Sequence, residues 1–503
     1  MTTIFWNKLS YSHRLLAFLL ALFVFRFFYA NLLPLSPQEA YYWVFSLHPD
    51  LSYFDHPPLT AYTIYFFRNL FGDTVPAIRL GALLYSLGCS WLIYLIGKRI
   101  YDARTASWTA MLYNLLPTTS ITAGILTPDS PLVFFWCLSI FFVLRALQEN
   151  RYSFYWGAGL SLGLALLSKY TAVFLPLSLL IFLAVSPDHR PHLKRIEPYG
   201  AVILAFLVFS PVLIWNAQHH WASLAFQSTQ RASEMVSFSA KQFFGFWASQ
   251  AGILTPLVFV GLFRAAGWGL KEFRNPGAWP ERFLICLSLP MVIFFVLVAS
   301  RDWVKINWLI PAYPPLLLLM AAFFQNHRGW RGWSFQSYNR WLKGTVLVIF
   351  ILLHLWPFVP QIKVSGSLDT FSGWRELAGH LEKIQQARGT SPPPFIFGWG
   401  HKTSAELQFY LSGHQTTWAQ SVVGEKALGY DYWFDPEPLK GREALFVYSD
   451  FEKFQEGKKD LLLKVFERIE PLEPFKVYRG KDVLRTFRLI HCYGYKGYSF
   501  VRP

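Results

Sequence analysis

One recurrence limits this chain more than any other feature: apolar runs of about 20 residues, the length needed to cross the hydrocarbon of a bilayer, follow one another through the first 360 positions. Eleven spans are read, near 14–33, 78–97, 105–124, 130–147, 153–168, 171–186, 199–215, 247–265, 283–299, 307–324 and 344–360. The fifth and sixth divide only at Ser168-Lys169-Tyr170. A composition that is 53% hydrophobic and 15% charged agrees with a membrane as the solvent and excludes an ordinary soluble domain. Arg26 interrupts the first span, and Phe28 and Ala30 do not form a small-x-small cleavage site, so this span is expected to stay as an anchor.

The net charge of +16 does not mark a nucleic-acid partner, because the basic residues gather in short loops between spans. Lys98, Arg99 and Arg104, then Arg145 and Arg151, then Arg190, Lys194 and Arg195, then Arg264, Lys271 and Arg274, and finally Arg328, Arg331, Arg340 and Lys343 fall on one side. That side is predicted to be cytoplasmic. Alternation then puts residues 34–77, 125–129, the 168–170 junction, 216–246, 300–306 and everything after 361 outside. Localisation to the inner (plasma) membrane, as a multi-pass protein, follows. Cys89, Cys137 and Cys286 lie in apolar runs and Cys492 in polar surroundings, which supports neither a disulfide framework nor a zinc cluster.

Beyond residue 360 the pattern changes. GWRELAGHLEKIQQARG reads as an amphipathic helix, FIFGW and ALFVYS as strands, FKVYRG and VLRTFRLIH as paired strands, and FEKFQEGKKDLLLKVFERI as a helix. The expected organisation is a transmembrane catalytic domain over 1–360 and a small extracytoplasmic α/β domain over 361–503. GWGHKTS at 398–404 lacks the spacing and the closing Gly-Lys of a P-loop and is read as a turn before a helix.

The unusual polar residues share the outer face. The segment 35–62 carries Glu39, Asp50 and Asp55 with no Lys or Arg. Four motifs in order, QEAYYW at 38–43, YFDHPPL at 53–59, LTPDSPL at 126–132 and LLSKYTAVFLP at 166–176, resemble the bacterial branch of glycosyltransferase family 39, relatives of the protein O-mannosyltransferases and the lipid A aminoarabinose transferases. The resemblance covers residues 10–325 or so. It implies a polytopic α-helical GT-C fold and a polyprenyl-phosphate-linked sugar as donor. It also implies inverting transfer to an acceptor hydroxyl of lipid A, another glycolipid, a glycan or a protein, at the outer membrane face. In that chemistry a base takes the acceptor proton while cations stabilise the departing phosphate.

Glu39 begins an aromatic interfacial segment where desolvation raises a carboxylate towards a useful base. Many relatives have Asp-Glu here, with the Asp catalytic, and this chain has Gln38 in its place. Glu39 is therefore the first choice for the base and Asp55 the alternative, and the other reading of Glu39 is a helix cap. Asp55 and His56 precede two prolines that stiffen the backbone. The resemblance implies that His56 approaches the donor phosphate while Asp55 binds a metal or orients substrate. The alternative is a turn with a satisfied histidine.

Asp129 either caps the helix that follows or binds substrate, and Lys169, interrupting a long apolar run, either meets the phosphate or snorkels. Arg79 and Lys305 are further phosphate candidates, with interfacial anchoring as the competing reading, for Lys305 beside Trp303 and Trp308. No cofactor is assigned, and a divalent metal stays open. Adjacent His219 and His220 do not share a helix face and make no metal site. The competing function is a transporter or flippase of a lipid-linked substrate, with an interaction scaffold third. A transporter is expected to carry ionisable groups at mid-membrane and repeated broken helices, whereas here the polar residues collect in outer loops.

Overall fold

In lipid a backbone must satisfy its own hydrogen bonds, so apolar runs become helices. The computed structural model describes residues 10–230, 237–326, 329–330, 333–355, 371–449, 452, 454 and 459–498. Among these, five helices are long and apolar enough to cross a membrane: Tyr11–Leu32, Val75–Ile100, Asp129–Glu149, Glu197–Gln218 and Trp279–Ala299. Shorter apolar helices occupy Phe154–Ser168, Phe174–Val185 and Tyr313–Asn326. Phe335–Leu355 covers the start of the eleventh expected span, whose last residues lie outside the described ones.

Two expected spans are broken. Residues 247–265 are not one helix: Ala240–Leu254 and Pro256–Glu272 meet at Thr255 with a bend of 108°. Pro256 removes a backbone donor and excludes Thr255 from helical geometry, and Thr255 takes φ 71 and ψ 144. The 105–124 span divides likewise into Ala103–Leu115 and Pro117–Thr122, with Leu116 extended ahead of Pro117. Arg26 explains itself at that break. Its buried guanidinium, 88 residues away in the chain, donates to the Asn114 carbonyl at 2.7 Å and to Asn114 Oδ1 at 2.8 Å, supplying a cation and donors to a helix C-terminus.

Close packing is set by small residues where the sequence reads GLSLG. A Cβ on Gly159 would collide with the Ala201 carbonyl and one on Gly163 with Val208, so the Phe154–Ser168 and Glu197–Gln218 helices approach through a glycine face. Van der Waals packing of this kind, rather than exclusion of water, holds helices together in lipid.

By contact the chain divides into two compact units. The first holds residues 1–30, 56–63 and 79–357, and the second holds 31–55, 64–78 and 358–503. The second unit therefore includes most of the loop after the first span. Its sheet has the order β2-β1-β3-β6-β4, where β1 is Phe395–Gly398, β2 Thr417–Trp418, β3 Ala444–Ser449, β4 Phe466–Pro471 and β6 Asp482–Tyr495; β5, Phe475–Arg479, also pairs with β6. The β1 strand is parallel to β2 and β3, with Phe397 opposite Phe446, and β6 runs antiparallel to β3, β4 and β5. The Trp374–Arg388 helix matches the amphipathic segment and buries Trp374, Leu377 and Leu381 with Ile396 and Leu445 of the sheet.

Two expectations change here. The segment 451–469 is not one helix: its described part is helical only over Lys459–Val465 and then becomes β4, because Phe466–Pro471 finds a partner in β6. Cys492 is not in polar surroundings but fully buried in the sheet core with Phe395 and Phe466.

Candidate active-site carboxylates and cations

Proline at the first helical position and serine before it dictate the start of the Pro37–Leu47 helix. Ser36 accepts from the Glu39 N–H at 3.3 Å, while a Glu39 carboxylate oxygen accepts from the Ser36 N–H at 3.0 Å and from its hydroxyl at 2.9 Å. This is a reciprocal capping box, with Glu39 fully buried.

Asp55, in the same unit, has a different setting. It is 6% exposed, and its Oδ1 accepts a hydrogen bond of 3.2 Å from the Tyr41 phenol. Tyr41 is itself fully buried and its oxygen accepts the Gly429 N–H at 2.9 Å. Burial, then the Asp55 charge, pushes the Tyr41 phenol well above its ordinary pKa, so it remains a donor. The Tyr41 ring lies 4.5 Å from His401 and stacks on Tyr430 at 6.3 Å. Lys402 is solvent-exposed, but enough protein crowds its ammonium to lower its pKa, an effect that the Asp55 charge opposes.

The loop is braced further along by a cluster that sequence reasoning missed. Asp73 receives Arg68 in a two-pronged pair at 2.6 and 2.8 Å and the Trp43 indole N–H at 2.7 Å. Burial opposes ionisation of Asp73, yet these donors keep its pKa below the usual carboxylate range. The GWGHKTS segment is, as expected, a turn before a helix: β1 ends at Gly398, Gly400 adopts φ 116, and His401–Tyr410 follows.

The first unit brings together Asp129 and Lys169. Lys169 sits in extended geometry after the Phe154–Ser168 helix, and its ammonium reaches Asp129 Oδ1 at 2.7 Å. The Asn307 amide donates to the other carboxylate oxygen. Asp129 makes no side-chain cap for its own helix, although it lies in the first turn. A small pocket beside it is lined by Tyr85, Ser86, Thr119, Thr122 and Ser130.

Arg79 is buried in the first turn of Val75–Ile100, where its guanidinium donates to the Ala30 carbonyl near the end of the first helix. His56 is half-buried and Lys305 exposed. His219 stacks on Trp215 at 4.1 Å. Among the described residues, no group of three or more His, Cys, Asp or Glu side chains is arranged to hold a metal ion.

Residues 55–215 match the family model described as dolichyl-phosphate-mannose-protein mannosyltransferase. The fold is similar to that of ArnT from Cupriavidus metallidurans, in the apo state with a TM-score of 0.63 at 16% identity, covering 95% of this chain and 98% of that one. The chain has the GT-C fold. The same ArnT bound to undecaprenyl phosphate matches with a TM-score of 0.62 at 17% identity, over 94% of this chain and 97% of the other.

Among curated sequences, this chain is 26% identical over 277 residues to the lipid A galacturonosyltransferase RgtD of Rhizobium johnstonii, covering 55% of this chain and 58% of that one. It is 24% identical over 380 residues to the undecaprenyl phosphate-alpha-4-amino-4-deoxy-L-arabinose arabinosyl transferase of Pectobacterium carotovorum, covering 69% and 65%. The chain thus spans little more than half the length of the first of these relatives and just under two thirds of the second.

Proposed function

We propose that this protein transfers a sugar from a polyprenyl-phosphate donor to a hydroxyl of lipid A at the outer face of the inner membrane. The donor class and the acceptor are supported by the relatives named lipid A galacturonosyltransferase and aminoarabinosyl transferase. The observation that carries the chemistry is the contrast between two carboxylates. Glu39 is engaged by Ser36 in its capping box, whereas Asp55 is buried and oriented by a neutral phenol.

Asp55 is the base in this reading. It accepts the acceptor hydroxyl proton as the oxygen bonds to the anomeric carbon, and the carbon–oxygen bond to the phosphate breaks with inversion. His56, Arg79 and Lys305 supply charge and donors to the departing polyprenyl phosphate, each as a role to be tested. Asp129, Lys169 and Asn307 act as a fixed ion-paired unit, so that Lys169 meets a phosphate only while sharing its charge with Asp129.

The experiment is transfer by the purified full chain to lipid A. The donors are undecaprenyl phosphate-α-4-amino-4-deoxy-L-arabinose and, separately, a polyprenyl-phosphate galacturonic acid, and product is read by mass spectrometry. One donor is expected to give a product of increased mass, and Asp55→Asn to reduce its rate by about 100-fold to 10,000-fold. Modified lipid A from neither donor, together with unchanged lipid A in a deletion strain, overturns the acceptor. Full activity of Asp55→Asn overturns the base.

A further inference from the structure

The Tyr41 phenol joins Asp55 to the segment around Gly429 by the hydrogen bonds described above. It donates to the carboxylate at 3.2 Å and accepts a backbone N–H at 2.9 Å, from a residue 388 positions away. A phenol oxygen with both bonds made has its hydrogen direction set, because the accepted N–H occupies one lone-pair side and leaves the O–H to aim at the carboxylate.

The ring has little freedom. It meets Phe45 edge-on at 4.6 Å, lies against His401 and stacks on Tyr430. Gly429 is equally confined, since a Cβ there would lie 3.0 Å from the Tyr41 oxygen, 3.0 Å from Phe45 and 3.2 Å from Trp433. Only glycine lets the backbone N–H come this close to the phenol without displacing it.

We propose that Tyr41 is a positioning residue for transfer, holding the Asp55 carboxylate in its working orientation and itself held by the Gly429 N–H. This rests on the reading of Asp55 as the base. A carboxylate rotamer is soft about its terminal torsion, and a base misaimed by an ångström loses rate steeply without losing substrate affinity. The segment 427–433 then sets the catalytic geometry of a loop that precedes it by nearly the whole chain. Tyr41 itself touches no substrate in this proposal. Aromatic composition alone would assign it to packing, and the two hydrogen bonds are what distinguish it.

The test is steady-state transfer by Tyr41→Phe and Gly429→Ala in the full-length protein, with undecaprenyl-phosphate binding measured alongside. Tyr41→Phe removes the oxygen and leaves the ring. Expected is a fall in kcat of about 10-fold, comparable to one hydrogen bond to a charged group, with KM for donor and acceptor and undecaprenyl-phosphate affinity unchanged. Gly429→Ala is expected to act in the same direction and more weakly, because it shifts the phenol rather than deleting it.

A double-mutant cycle of Tyr41→Phe with Asp55→Ala, which leaves no oxygen to accept the phenol hydrogen, read as thermal midpoints, measures the contact without reference to activity. Coupling between the two is expected, and additive midpoints overturn the proposal. So does a Tyr41→Phe protein with unchanged kcat, or one that loses undecaprenyl-phosphate affinity instead. An active Asp55→Asn, by contrast, overturns the base assignment while the cycle still reports whether the contact exists.

Discussion

Lys169 and Asp129 form an ion pair of 2.7 Å with side chains only 10% and 3% exposed, between the end of one apolar helix and the start of another. Isolated, either charge would bear a desolvation penalty of several kcal/mol; paired, they neutralise one another, and the Asn307 amide donates to the second Asp129 oxygen. The lysine that interrupts the apolar run therefore has a partner within the protein.

Removing one charge strands the other. Lys169→Met is expected to destabilise the protein by about 3–5 kcal/mol, and combining it with Asp129→Asn to restore much of that loss. Thermal unfolding of the four proteins of the cycle in detergent checks this. If Lys169→Met keeps full stability and loses only undecaprenyl-phosphate binding, the pair is not what holds these helices.

Glu39 behaves, on its hydrogen bonds, as a cap. Glu39→Gln keeps an oxygen to accept from Ser36 and is expected to retain transfer within about threefold, whereas Glu39→Ala loses the reciprocal bonds and about 1 kcal/mol of stability. Parallel rate and unfolding measurements separate these. A folded but inactive Glu39→Gln returns the base role to Glu39.

Much of the helical architecture was legible because lipid leaves the backbone no alternative, so apolar length alone marked Tyr11–Leu32, Val75–Ile100 and Trp279–Ala299. The breaks at Leu116 and Thr255 were also written as prolines, but hydropathy averaged over a window passes across a single residue. Strand β4 was hidden for another reason: its helix-compatible spacing yields to pairing with β6, whose partner residues lie 19 to 29 positions further on.

The site was legible as a set of residue types and not as partnerships. LTPDSPL and LLSKYTAVFLP each announced a polar residue without announcing that Asp129 and Lys169 pair. Tyr41 was one aromatic among many until Gly429 met it.

Asp431 gives the second unit a pH dependence. Burial raises its carboxyl to about 6 from 3.8, against the Ala427 N–H at 2.8 Å and the nearby Lys426 charge, which both lower it. Between these two values the folded protein binds a proton that the unfolded chain has released, so stability falls as pH rises from about 4 to about 6 and levels off above. Asp431→Asn is expected to flatten that slope and to unfold at a higher temperature than the parent at pH 7. Thermal midpoints of both proteins at pH 4.5, 5.5 and 7 check it, and equal slopes would remove Asp431 as the cause.

Orientation is testable with the cysteines the chain already has, since Cys89, Cys137, Cys286 and Cys492 are all buried and leave a quiet background. The loop at Asn275 is exposed and follows Lys271 and Arg274, so the positive-inside rule places it in the cytoplasm. The hairpin tip at Lys481, between β5 and β6, is exposed on the unit predicted to lie outside. With a membrane-impermeant maleimide, Lys481→Cys is expected to label in right-side-out vesicles and Asn275→Cys only in inverted ones. The bend at Thr255 does not alter this expectation: whether Ala240–Leu254 crosses or lies along the interface, Pro256–Glu272 ends at the basic loop. The reverse labelling pattern would put Asp55 and its neighbours on the cytoplasmic face, where transfer to lipid A at the outer face is impossible, and would overturn the topology and the proposed acceptor together.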